Sequence, residues 1–430
     1  MASPNLTIEK SDINEQSVKG TLERFKNNLL AIDDYFQTFG NMAADADNKN
    51  AKKKRDEFDQ CFKDLNLEIK PNGGELKLSR PQISILIKRL NSTTKISIKN
   101  FEILSKSALL MLNNYLEYLL SDLLAYHYDK FKNSLNDKKF NVTLKDLTEY
   151  DTIAELTKAL ITKEVESMIV EFSFDDLIAH FHNKLGIDKE EKLIDWNFIA
   201  ECRERRHLIV HNSSIVNKKY LSRTNNPFNY SIGDEIKIDE SYFIKASKEF
   251  YIAGLLLSLN SWAKWDKEKI TDAIKEILYD SFNLLKIEDF ESVVKLTEYA
   301  KKIDPRDEDQ EDILMRVVFN RLIALKKIKS PLLAKELKNI KVGTASPMFK
   351  LGYSILKDDH TAIIDLIKKT ELMGDIDLDR YNEWPIYSFL REQSTLNELI
   401  VKELSKKIKK TVALQKKKIL PSDVQINTAK

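Results

Sequence analysis

Ten glycines and nine prolines are spread over 430 residues. Glycine opens backbone conformations that other residues avoid, and proline fixes φ and removes a donor, so the two residues punctuate turns. A chain this poor in both has few places to reverse sharply. It must be built from long stretches of one regular structure. Its apolar residues recur at three- and four-residue spacing, which makes that structure the α-helix. The expected fold class is all-α: an antiparallel helical bundle with an N-terminal helical segment and a C-terminal helical-hairpin, repeat-like domain.

Periodicity divides the chain. Residues 1–95 form a mostly helical segment. In it, TLERFKNNLLAIDDYFQTF sets Leu22, Phe25, Leu29, Ile32, Tyr35 and Phe36 at helical spacing. The polar run NMAADADNKNAKKKRDE is a loop or a solvated helix. PNGGELKLSRPQ is the most turn-like stretch, with Gly73-Gly74 and Pro81 bracketing a short strand, and ISILIKRL then returns to helix. Residues 96–265 form the bundle. NFEILSKSALLMLNNYLEYLLSDLLAYHYDKF is apolar over most of its surface and belongs at the centre. VESMIVEFSFDDLIAHFHNKLG, DWNFIAECRERRHLIVHN capped by Asp195, and SYFIKASKEFYIAGLLLSLNSWAKW supply three further helices. Before the last of these, Pro227 and Gly233 mark turns and EIKID is extended. Residues 266–395 pair into helical hairpins resembling tetratricopeptide repeats without a fixed period, closed by EWPIYSFLREQ with Trp384 as anchor. Residues 396–430 are a lysine-rich tail.

Composition narrows the partners. A net charge of +2 requires any nucleic-acid surface to be a local cluster of cations. No apolar run reaches the roughly 18 residues of a membrane span, and MASPNLTIEKSDINEQ has no apolar signal core. Cys61 and Cys202 stand far apart with no partners at metal spacing, which fits a reducing cytoplasm and no disulfide framework.

The chemistry is concentrated in RRHLIVHN, residues 205–212, which holds two of the six histidines. His207 and His211 stand at i and i+4, the spacing of helical zinc proteases. Leu208 occupies the place of the glutamate that would activate a zinc-bound water, so that reading fails and no metal is expected. No nucleophile elbow, Walker loop or dinucleotide glycine motif occurs, and no cofactor is implied. Acid–base chemistry on a phosphodiester is what remains. A histidine can move protons near neutral pH, and an arginine can grip phosphate oxygens. Arg206 and His211 supply both types. Five residues apart, they lie about 140° apart around one helix. Two copies across a two-fold axis could therefore surround a strand. The bland reading makes these residues cations at a helix end, His127, His180 and His182 structural, and Arg203 and Arg205 solvated or bridging to Glu201 and Glu204. Leu208, Ile209 and Val210 are the packing face.

RRHLIVHN resembles the signature of the HEPN superfamily (higher eukaryotes and prokaryotes nucleotide-binding domains): arginine, a polar residue, and a histidine after four intervening residues. Arg206, His207 and His211 match. The flanks are similar too, with a long helix carrying Tyr115, Glu117 and Asp122 before the motif, and GDEIKIDESYF after it. The likeness covers about residues 100–265. It implies a bundle that forms a homodimer or higher oligomer, with the motifs facing one another. It also implies metal-independent cleavage of RNA by Arg206 and His211, with His207 orienting the phosphate and Asn212 and Arg205 in support. By analogy the enzyme would be a cytoplasmic effector in antiviral defence or a toxin, held in check by a regulatory protein or a trigger. The alternative expectation is a non-catalytic helical scaffold that binds RNA, a nucleotide or protein.

Overall fold

The computed structural model describes residues 17–65, 78–93, 99–136, 138–340, 343, 346–368 and 378–419. Among them the protein is all-α, with a single isolated β-bridge between Ile215 and Glu235. No helix among the described residues is long and apolar enough to cross a membrane. The chain forms two compact units, Met1–Lys267 and Glu268–Lys430.

The first unit holds α1 (Val18–Asp64), α2 (Arg80–Thr93), α3 (Asn100–Lys130), α4 (Leu144–Glu149), α5 (Ile153–Glu171), α6 (Phe174–Asn183), α7 (Trp196–His211), α8 (Lys218–Thr224) and α9 (Glu240–Trp265). As its apolar surface foretells, α3 is central: it packs against α1, α5, α7 and α9. Leu109, Leu112, Leu116, Leu120 and Leu123 are fully enclosed along it. α1 lies along α3 and α9 in the same unit. Its Phe36 stacks on Phe243 of α9 with centroids 3.9 Å apart. Gly254 of α9 permits this close approach, since a Cβ there would run into the Phe25 ring and come within 2.9 Å of Leu119 Cδ2.

The polar run after residue 40 is a solvated helix. α1 continues through it unbroken for 47 residues, and only Cys61 and Phe62 of its second half are buried. This half has a structural task. Asp47 reaches the start of α3, where Oδ1 accepts from Asn100 N at 2.9 Å and Oδ2 from Phe101 N at 3.0 Å. A carboxylate on a neighbouring helix thereby satisfies the first free N–H groups of the central one.

One expectation is corrected. VESMIVEFSFDDLIAHFHNKLG is two helices, because Phe172 turns extended and Ser173 caps a new start by accepting from Asp176 N at 3.2 Å. Gly186, at φ +70°, carries the chain out of the turn that follows α6. The stretch before Pro81 lies largely outside the described residues, and Pro81 itself sits in the first turn of α2, where its missing N–H costs nothing.

The second unit holds α10 (Ile270–Lys286), α11 (Phe290–Ala300), α12 (Glu308–Lys327), α13 (Leu332–Lys338), α14 (Pro347–Leu356), α15 (His360–Lys368), α16 (Leu378–Glu383), α17 (Ser388–Arg391) and α18 (Ser394–Ile419). α10, α11 and α12 pack pairwise, and α14 and α15 form a hairpin. Arg321 is enclosed in this core and held by Glu336 at 2.9 Å. The lysine-rich tail begins inside the core, for α18 buries Leu396, Ile400 and Leu404.

Candidate functional site on helix α7

α7 is fixed at both ends. Asp195 Oδ1 accepts from Phe198 N at 3.0 Å, the N-cap read from the sequence. At the other end Asn212 N and Ser214 N both donate to Leu208 O, at 2.9 and 3.0 Å. Asn212 Nδ2 donates to Ile215 O at 2.5 Å and ties the turn. Ser213 and Ser214 adopt φ of +50° and +66°, a left-handed conformation that costs non-glycine residues about 1–2 kcal/mol each. The chain then pairs with the following loop: Val216 N donates to Asp234 O at 2.8 Å and Ile236 N to Ser214 O at 2.9 Å. This is the extended piece expected at EIKID.

One side of α7 is sealed by a buried polar network. The Arg205 and Glu201 side chains are each 1% exposed, and Arg205 Nε donates to Glu201 Oε1 at 2.5 Å. Tyr220 Oη of α8 donates to the same oxygen, and Tyr242 Oη of α9 donates to Glu201 Oε2 at 2.6 Å. Arg205 Nη1 donates to Lys237 O at 2.8 Å. Its guanidinium lies 3.8 Å from the Tyr242 ring centroid and 4.3 Å from that of Phe228. Burial, aided by the Glu201 carboxylate, pushes the Tyr220 and Tyr242 hydroxyls above their ordinary range, so both remain donors. The Cys202 thiol, 3.0 Å from Tyr242 Oη, is pushed up by the same burial and stays protonated. α7, α8, α9 and the 237 loop are thus pinned to one carboxylate–guanidinium pair.

The other side of the helix faces outward. Arg206 is partly exposed and makes no hydrogen bond or ion pair among the described residues. His207 is partly exposed and His211 exposed, and their rings lie 4.8 Å apart on successive turns. Partial burial, with the Lys219 cation and the neighbouring His211 adding to it and Glu204 opposing, lowers the His207 pKa below its ordinary value. Val210 joins this side at 50% exposed, so the expected apolar packing face shrinks to Leu208 and Ile209, which pack with Val216, Tyr220 and Ile236.

Two neighbouring arginines are already bound. Arg203 bonds Glu117 of α3 at 2.6 Å and lies over the Phe174 ring, while Arg223 of α8 takes Glu204 at 2.8 Å. Sequence spacing exposes the Glu201–Arg205 pair as i and i+4. It does not reveal Tyr220 and Tyr242, which come from separate helices. His127, His180 and His182 lie elsewhere in the unit. His127 is buried against Trp265, His180 meets Tyr128 Oη at 2.8 Å, and His182 Nδ1 is 3.1 Å from Ile187 O. Among the described residues, no three histidine, cysteine, aspartate or glutamate side chains are grouped as metal donors. No protein-family model, curated protein or solved structure matches this chain.

Proposed function

We propose that the chain is a metal-independent endoribonuclease of the HEPN kind, with Arg206 and His211 as catalytic residues and His207 beside them. The observation that carries the reading is the opposite fate of two adjacent arginines. Arg205 is consumed by the core, while Arg206, which like both histidines keeps contact with solvent, makes no hydrogen bond or ion pair among the described residues. An unpaired guanidinium costs nothing to redirect toward a phosphate and binds its oxygens through two donors.

The chemistry follows from those groups. An imidazole accepts the proton of a ribose 2′-hydroxyl as that oxygen attacks phosphorus. Arg206 stabilises the charge that builds on the phosphorane oxygens. The bond to the 5′-oxygen breaks, and a protonated imidazole returns a proton to it. The products end in 2′,3′-cyclic phosphate and 5′-hydroxyl. Arg205 and Asn212 act as positioning residues, the first fixing the rotation of α7 and the second its terminal turn. A two-fold pair of chains would bring two arginines and two pairs of histidines to one RNA strand. An enzyme of this kind needs restraint in the cell, which fits a triggered effector of antiviral defence or a toxin.

The chemical test is substrate substitution. An oligoribonucleotide cut by the protein is resynthesised with one 2′-deoxy residue at the cleaved position. Loss of cleavage at that position, with 5′-hydroxyl ends on the parent products, is the expected result. Cleavage of the deoxy substrate or 5′-phosphate ends would refute the mechanism.

A further inference from the structure

The pair Lys218-Lys219 follows the motif helix closely and takes no part in the chemistry proposed above. It belongs to α8, which runs back along α7. Val216, just before α8, packs with Leu208 near the end of α7, while Arg223 in the last turn of α8 takes Glu204, one turn further back, at 2.8 Å. Tyr220 fixes the rotation of α8 by donating to Glu201. We infer that Lys219 holds a backbone phosphate of the RNA next to the one whose bond is cut, a role that rests on the ribonuclease reading.

Helix geometry sets the register. Residues three or four apart share a face. Lys219 therefore lies one turn before Arg223 along α8, and His207 one turn after Glu204 along α7. Because the helices run in opposite directions, Lys219 stands level with His207. Charge agrees with this placement. Burial is the largest cause of the lowered His207 pKa, and Lys219 is the foremost of the charged ones, ahead of Glu204, His211 and Arg223.

Glu204, the one carboxylate in that group, is held by Arg223, so neither adds a free charge. Lys218 and Lys219 are exposed and Arg206 partly so, and none of the three side chains makes a hydrogen bond or ion pair among the described residues. Three uncommitted cations thus belong to one pair of packed helices, together with two histidine rings 4.8 Å apart. An ammonium on a flexible stem serves a phosphate as a point charge, whereas a guanidinium grips it through two fixed donors. The two types divide a strand between them: Arg206 for the phosphate that reacts, Lys219 for one that only needs holding. A mononucleotide offers a single phosphate and engages one of them; a chain of nucleotides engages both.

Fluorescence anisotropy on the full chain tests this with a single-stranded oligoribonucleotide methylated at every 2′-oxygen, which keeps the phosphates and blocks the attack. Lys219→Gln should weaken binding about fivefold, the upper end for an exposed ion pair. It should also reduce the slope of log affinity against log salt by about 0.7, the value for one contact to a single strand. Lys219→Arg should restore both, and Lys158→Gln, the same charge change at an exposed position on α5, should stay near the wild type. Lys219→Gln should further raise the His207 pKa, followed by NMR of the imidazole, because a cation that opposes its protonation is gone. Lys219 is not a phosphate ligand if Lys219→Gln keeps the wild-type affinity and slope, if Lys158→Gln loses as much, or if His207 titrates unchanged. When the wild type cleaves RNA and Lys219→Gln still binds as it does, the lysine subsite alone falls. When the oligonucleotide fails to bind the wild type, the subsite and the ribonuclease reading fall together.

Discussion

Arg205 and Arg206 differ by 100° of helix rotation, and that rotation decides what each can do. Arg205 loses its water entirely and regains a carboxylate, a carbonyl and two aromatic faces. Removing one partner of such a pair strands the other charge in the core, so Arg205→Ala should cost about 3–5 kcal/mol in urea unfolding. Arg206→Ala should shift stability by less than about 0.5 kcal/mol, because the side chain makes no hydrogen bond or ion pair among the described residues. Equal losses for the two variants would contradict this assignment. In the sequence the two are an undivided RR. The i, i+4 glutamate at 201 offers Arg205 a partner, yet Glu204 offers one as well. The choice is made by Tyr220 and Tyr242, which converge on Glu201 from other helices, and by Arg223, which occupies Glu204. Such convergence depends on tertiary packing and leaves no mark in local spacing.

An element whose one face is apolar shows its place in the sequence; an element that polar residues decide does not. α3 is central because leucines surround it, and this is visible in the chain. The break between α5 and α6 rests on one serine hydroxyl, and the second half of α1 stays helical with almost no burial. The contact between α3 and α9 carries a pH dependence. His127 of α3 is buried 4.8 Å from the Trp265 ring, and its Nδ1 has no hydrogen-bond partner among the described residues. Burial, with the nearby His180, lowers its pKa from 6.5 to about 4. Between those values the unfolded chain binds a proton that the folded one refuses, so stability rises with pH across that window and falls on acidification. Moving from pH 7 to pH 5 should therefore cost about 2 kcal/mol through this residue. His127→Phe should flatten the pH dependence of unfolding over that interval. A variant as acid-sensitive as the wild-type protein would show that the buried imidazole is not responsible.

At the scale of the whole molecule, the all-α class follows from the scarcity of turn residues, and the described residues bear it out. Which helices share a core is not written in the local pattern. α1 has its apolar stripe in plain view, but the stripe does not say that α3 and α9 receive it. The tail likewise reads as solvated lysines, although Leu396, Ile400 and Leu404 anchor its start in the second unit. The outward side of α7 is where sequence and structure meet most closely. RRHLIVHN presents one arginine and two histidines to solvent while the rest of the helix is locked. The measurement that bears most directly on the proposed activity is RNA cleavage in excess EDTA by the wild-type protein, Arg206→Ala and His211→Ala. The account predicts that the wild type cleaves undiminished and that each variant, folded as judged by its melt, loses activity by about a hundredfold or more. Cleavage abolished by EDTA, or retained in both variants, would contradict it.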